Sequence, residues 1–116
     1  MKSYSIYQIK DDAPNGRYIM FSSLDFVKEN DLCTMSGDLC KLDSDLYEKV
    51  YEGQTEVGEN EEAIVTLEYL YMKFQGAKPE GYTGHSLSVS DVVVLDGTAY
   101  YVDDYGFEKI DFEPKE

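Results

Sequence analysis

The chain has 116 residues, 42% of them hydrophobic, with 11 tyrosines and 5 phenylalanines; that is one domain, large enough to bury a core without metal or disulfide staples. No stretch approaches the roughly 18 apolar residues of a membrane helix, and the basic start MKSYSIYQIK lacks an apolar h-region, so neither a span nor a signal peptide is read and the expected location is cytoplasmic. Twenty-four acids against ten bases give a net charge of −14, which argues against direct binding to nucleic acid or to an anionic membrane, since phosphate rewards Lys and Arg, and suits a basic protein partner.

Tyr4 to Ile9 alternates Tyr4, Ile6 and Gln8 with Ser5, Tyr7 and Ile9 and reads as a strand. Asp11 to Gly16 (DDAPNG) is turn chemistry, and Arg17 to Phe21 is a second short strand. Ser22 or Ser23 caps a short helix from Leu24 to Asn30, with Asp25 favourable in its first turn. Asp31 to Asp45 reads as loop with a possible short strand. Within it, Cys33 and Cys40 have no zinc-spaced company; in a reducing cytosol they are expected as free thiols, with a redox pair as the alternative.

Leu46 to Glu52 alternates as a third strand, stopped by Gly53. Glu56 to Glu62 is an acidic loop. Glu61 to Gln75 is the clearest helix: Ile64, Leu67, Leu70, Tyr71 and Phe74 form one apolar stripe, with Asn60 as N-cap, Gly76 at C′ and Pro79 beyond. Ser90 to Leu95 and Thr98 to Val102 flank Asp96-Gly97, a hairpin signal, because a type I′ turn needs positive φ at both central residues. The unbroken run Val92 to Leu95 implies an interior strand. A turn over Asp103 to Gly106 leads to a last strand, Phe107 to Phe112, and only EPKE reads as a tail. The expected fold is α+β: an antiparallel sheet with a C-terminal hairpin meander, packed against one long and one short helix.

His85 is the single histidine, so any triad must use it, with Ser88, Ser90 or Asp103 as company. GHSLS is not the nucleophile elbow G-x-S-x-G, and no phosphate-binding glycine loop is present. Asp91, Asp103 and Asp104 are a conceivable Mg²⁺ set. The preferred reading is that His85 anchors a turn and that Ser90-Asp91 and Asp103-Asp104 hydrogen-bond turn backbones. No catalytic residue and no cofactor are assigned.

Gly84-His85-Ser86-Leu87-Ser88-Val89-Ser90-Asp91-Val92-Val93-Val94-Leu95, followed by Tyr100-Tyr101-Val102-Asp103 and Tyr105-Gly106-Phe107, resembles the signature of the YodL-like domain. Tyr4-Ile6-Tyr7-Gln8-Ile9 and the helix before the motif fit the same pattern. The resemblance implies a setting in conjugative and other mobile elements of Gram-positive gut bacteria, and carries no catalytic residues over. Small acidic proteins of such elements often resemble inhibitors of host defence. The expectation is therefore a non-enzymatic anti-CRISPR protein that acts as a nucleic-acid mimic and binds Cas9, whose positively charged channel holds guide and target. Two alternatives are an accessory module of conjugation machinery and a small metal-dependent or hydrolytic enzyme using His85 and Asp103. The partner-binding residues are expected to be Glu56, Glu59, Glu61 and Glu62, joined by Asp43 and Asp45. Gly84, His85, Ser88, Asp91, Asp96, Gly97, Asp103 and Gly106 are expected to form a structural motif.

Overall fold

Strand β1 (Lys2–Ile9) is the spine of the molecule, and its strict alternation sends Tyr4 and Ile6 into one core and Tyr7 and Ile9 into another. The computed structural model describes residues 1–10, 16–76, 79–104 and 106–113. The expected DDAPNG turn lies, but for Gly16, outside them, as do Tyr105 and the last three residues of the tail. The further elements are α1 (Gly16–Ile19), α2 (Leu24–Glu29), β2 (Thr34–Ser36), β3 (Leu39–Lys41), β4 (Tyr47–Thr55), α3 (Ala63–Lys73), β5 (Val92–Leu95), β6 (Thr98–Val102) and β7 (Phe107–Lys109). Five strands form one antiparallel sheet in the order β4-β1-β5-β6-β7, and β2 pairs with β3 in a separate hairpin. The fold class is thus α+β.

β5 is the middle strand, as its unbroken valines imply: Val92 belongs to one core, Val93 and Leu95 to the other. Asp96 and Gly97 both take positive φ, 47° and 85°, so the β5–β6 hairpin closes in the primed turn that Asp-Gly favours. Helix α3 covers one face of the sheet with Leu67, Leu70 and Phe74. The other face is covered by Ile19, by Leu24 and Val27 of α2, and by Cys40 and Leu42. In β4 the register against β1 slips by one between Ile6 and Tyr7, which leaves Val50 as a bulge residue.

Several local expectations are corrected. Arg17 to Phe21 is no strand: α1 ends at Ile19, a turn follows, and Phe21 takes φ 63°. Burial of Ile19 on the sheet outweighs the β-propensity of so short a run. Gly53 does not stop the third strand. It lies inside β4 opposite Tyr4, where a Cβ would come within 3.0 Å of the Tyr4 hydroxyl. Helix α3 starts later and ends earlier than its pattern, with Glu62 at the N-cap position and Phe74 closing it. Ile64 is exposed, and Thr66 is buried in its place with its hydroxyl donating to Val57 O at 2.9 Å. The last strand stops at Lys109, although Ile110 and Phe112 are still core. Cys33 and Cys40 are not free thiols but a disulfide, with Cα atoms 6.2 Å apart, because the β2–β3 hairpin folds them together. So short a closed loop adds about 2–3 kcal/mol by restricting the unfolded chain.

Candidate functional site

The motif from Gly84 onward wraps over the end of β1. There Gln8, on the core-facing side of the strand, is 3% exposed and serves as the hub. Its Nε2 has two hydrogens and donates to the two nearest acceptors, His85 O at 2.8 Å and Asp91 Oδ2 at 3.0 Å; its Oε1 accepts from His85 N at 3.0 Å. The Tyr82 hydroxyl donates to the same His85 carbonyl at 2.7 Å. Gly84 is required by proximity: a Cβ there would meet Gln8 Oε1 at 2.0 Å and Val50 Cγ1 at 2.9 Å. Thr83 N donates to Val50 O, so the bulge of β4 also receives this loop.

Asp91 is 1% exposed. Its Oδ2 also accepts from Ser88 N at 2.8 Å, while its backbone bonds Ser88 and Val102. Burial pushes its carboxyl up to about 7, against the downward pull of the Ser88 amide, His85 and the Gln8 amide. Ser90, φ 87°, gives its carbonyl to the Tyr47 hydroxyl at 2.7 Å, and its Oγ accepts from Phe21 N at 2.9 Å. Burial raises the Tyr47 phenol well above its ordinary value, so it stays a donor. The helix end is tied in as well: Leu87 N donates to Phe74 O, and Gln75 Nε2 donates to Leu87 O.

His85 is exposed, with Nδ1 2.7 Å from Ser86 O and its ring 5.8 Å from that of Phe21. The Ser88 hydroxyl donates to Ser86 O, so neither it nor the Ser90 hydroxyl is aimed at the imidazole. Asp103 serves a different element: its Oδ1 accepts from Leu24 N at 3.0 Å, at the start of α2, and from Asp104 N. Asp91 and Asp103 thus turn to separate backbone donors. Among the described residues, no group of three or more His, Cys, Asp and Glu is placed to hold a metal ion. Asp96 Oδ1 accepts from Ser3 N, and Asp103 N donates to Gly106 O, closing the second turn.

The acidic residues form two sets. Glu56, Glu59, Glu61 and Glu62 are all exposed on the turn before α3, and the Glu59 carboxylate pairs with the N-terminal amine. Asp43 and Asp45 are exposed at the opposite end of β4; nine strand residues separate the sets by roughly 30 Å. The Asp43 side chain accepts from Asp45 N, capping a single 3-10 turn over Ser44–Leu46. The residue absent from the sequence-level site is Gln8. Its signal is a polar side chain in register with Tyr4 and Ile6, on a face that must be buried.

The family model of the YodL-like domain matches residues 3–112. The chain therefore belongs to the YodL-like domain family. No curated protein and no solved structure matches it. Among the described residues, no helix is long and apolar enough to cross a membrane.

Proposed function

We propose that this YodL-like domain is a non-enzymatic binding protein whose acidic surface engages a basic, nucleic-acid-handling protein, and that it acts as an anti-defence factor with Cas9 as the partner. The observation that carries the reading is the placement of charge. Glu56, Glu59, Glu61 and Glu62 stand exposed within seven residues on a chain of net charge −14. Asp91, by contrast, is sealed inside and bonded to backbone and amide donors, and the Asp103 carboxylate accepts from the Leu24 and Asp104 backbone amides. A cationic channel built for a nucleic-acid duplex would attract such a surface and speed encounter. The setting in the bacterial cytoplasm, on a mobile element, belongs to the same proposal.

The test is titration of purified Cas9, with and without guide RNA, against the wild type and the Glu56→Lys, Glu61→Lys double variant at two salt concentrations. Affinity should fall with added salt and with charge reversal, mainly through a slower on-rate. No binding by the wild type in either Cas9 state would overturn the choice of partner. Binding indifferent to salt and to charge reversal would overturn the electrostatic mechanism.

A further inference from the structure

Helix α3 is apolar on two opposite sides. One carries Leu67, Leu70 and Phe74 into the core. The other presents Val65, Tyr69 and Met72, at i, i+4 and i+7, which are 38%, 37% and 74% exposed. A stripe that pattern reading would assign to a core lies open here, because the sheet supplies one face and α3 has already used it.

The stripe runs into a groove of about 390 Å³ between α3 and the β6–β7 turn. Tyr71 and Phe107 meet edge to face, ring centres 6.4 Å apart, and with Met72 and Val89 give it apolar walls. Glu68, Asp103 and Asp104 are the charged residues lining it among the described residues, none of them basic. The volume is in the range of ligand clefts, ~300–1,000 Å³. At the other end of the stripe, Glu61 and Glu62 precede the helix, which at 11 residues is about 16 Å long.

From this arrangement we infer that the outer face of α3 and the α3–β7 groove form a docking surface for a peptide segment of a partner protein in which apolar side chains alternate with Lys or Arg. Charge complementarity selects this occupant: Glu68, Asp103 and Asp104 line the groove and Glu61 and Glu62 stand at the helix start, so an acidic partner would meet carboxylates at both ends of the stripe, and the cation beside the stripe, Lys73, already lies over the Tyr69 ring with its Nζ 6.0 Å from the ring centre. Apolar side chains cover Val65, Tyr69 and Met72 and enter the groove, while flanking cations meet Glu68 on one side and Glu61 and Glu62 at the helix start. Affinity resides in the apolar anchors and encounter rate in the carboxylates. The inference rests on the acidic-surface reading above and names the contact face within it.

The probe is a synthetic peptide of alternating lysine and leucine, with a glutamate–leucine peptide as control, followed through the Met72 methyl resonance at about 0.15 M salt. The lysine–leucine peptide should shift the Met72 signal saturably and the control should not. Met72→Asp, at a site 74% exposed and therefore safe for folding, should weaken binding about tenfold or more. Shifts confined to residues 56–62, an undisturbed Met72, or a Met72→Asp protein that binds like wild type would each overturn the docking surface. The two readings fail separately. Peptide bound at Met72 with no Cas9 binding removes only the choice of nuclease, and full Cas9 binding by Met72→Asp removes only the groove.

Discussion

The motif over the end of β1 and the outer face of α3 contrast sharply. The first is dense in residue types associated with catalysis, yet the structure spends them inward: Gln8, Ser88 and Asp91 bond one another and the backbone, and Gly84 lets the loop approach Gln8. The second holds no chemistry-bearing constellation, yet it leaves Val65, Tyr69, Met72 and a run of carboxylates in solvent. Reactive residue types are thus a poor guide to exposure. A buried polar group must find partners, and where it finds them within the fold its role is to hold the loop in one conformation.

If that contrast is right, damage to stability should fall steeply from the first region to the second. Val93→Asp, at a position with no exposure on the central strand beneath the motif, buries an unpaired charge. It should cost several kcal/mol and leave the chain unfolded by circular dichroism. A soluble, folded Val93→Asp protein would break the comparison at its base. Gly84→Ala should cost about 2–3 kcal/mol in urea unfolding, since the new Cβ displaces Gln8 and strains the β4 bulge. Loss of under about 0.5 kcal/mol would mean that the Gln8 hub is not tight.

Asp91 gives a pH signature. Its folded-state value, about 7, is raised above its ordinary 3.8 by burial. The stability it contributes is therefore full below about pH 4 and is lost as pH rises through about 7, at no more than about 1.4 kcal/mol per pH unit. Asp91→Asn keeps an acceptor for Ser88 N and cannot ionise. Its stability should gain on the wild type between about pH 4 and about pH 7, and parallel pH–stability curves for the two proteins across that window would sink the assignment.

Smaller effects are expected outward. His85→Ala removes the Nδ1 contact with Ser86 O and the ring contact with Phe21, but keeps the backbone bonds to Gln8, so about 0.5–1 kcal/mol is expected. Partner binding by the folded variant should stay near normal; its loss with the fold intact would return His85 to the functional surface. Glu56→Lys should shift thermal stability least, within about 0.5 kcal/mol, and a larger loss in a thermal melt would show that the acidic turn is also structural.

The sequence alone determined the α+β class, the Asp-Gly hairpin, the interior position of β5, α3 as the long helix and the acid excess. Each of these follows from local chemistry: a turn that needs positive φ, a run of valines with no polar side, a 3.6-residue period, a sum of charges. Tertiary structure alone decided that the Arg17 to Phe21 run is helix and turn, that Gly53 lies within a strand, that Cys33 meets Cys40, and that Gln8 is the hub of the motif. It also parted Asp43 and Asp45 from the Glu56 to Glu62 turn by the length of β4. These outcomes depend on which residues distant in the chain become neighbours. Propensity and period describe a segment's preferences, and a sheet that brings residue 8 against residue 91 answers to packing and hydrogen-bond satisfaction across the whole domain.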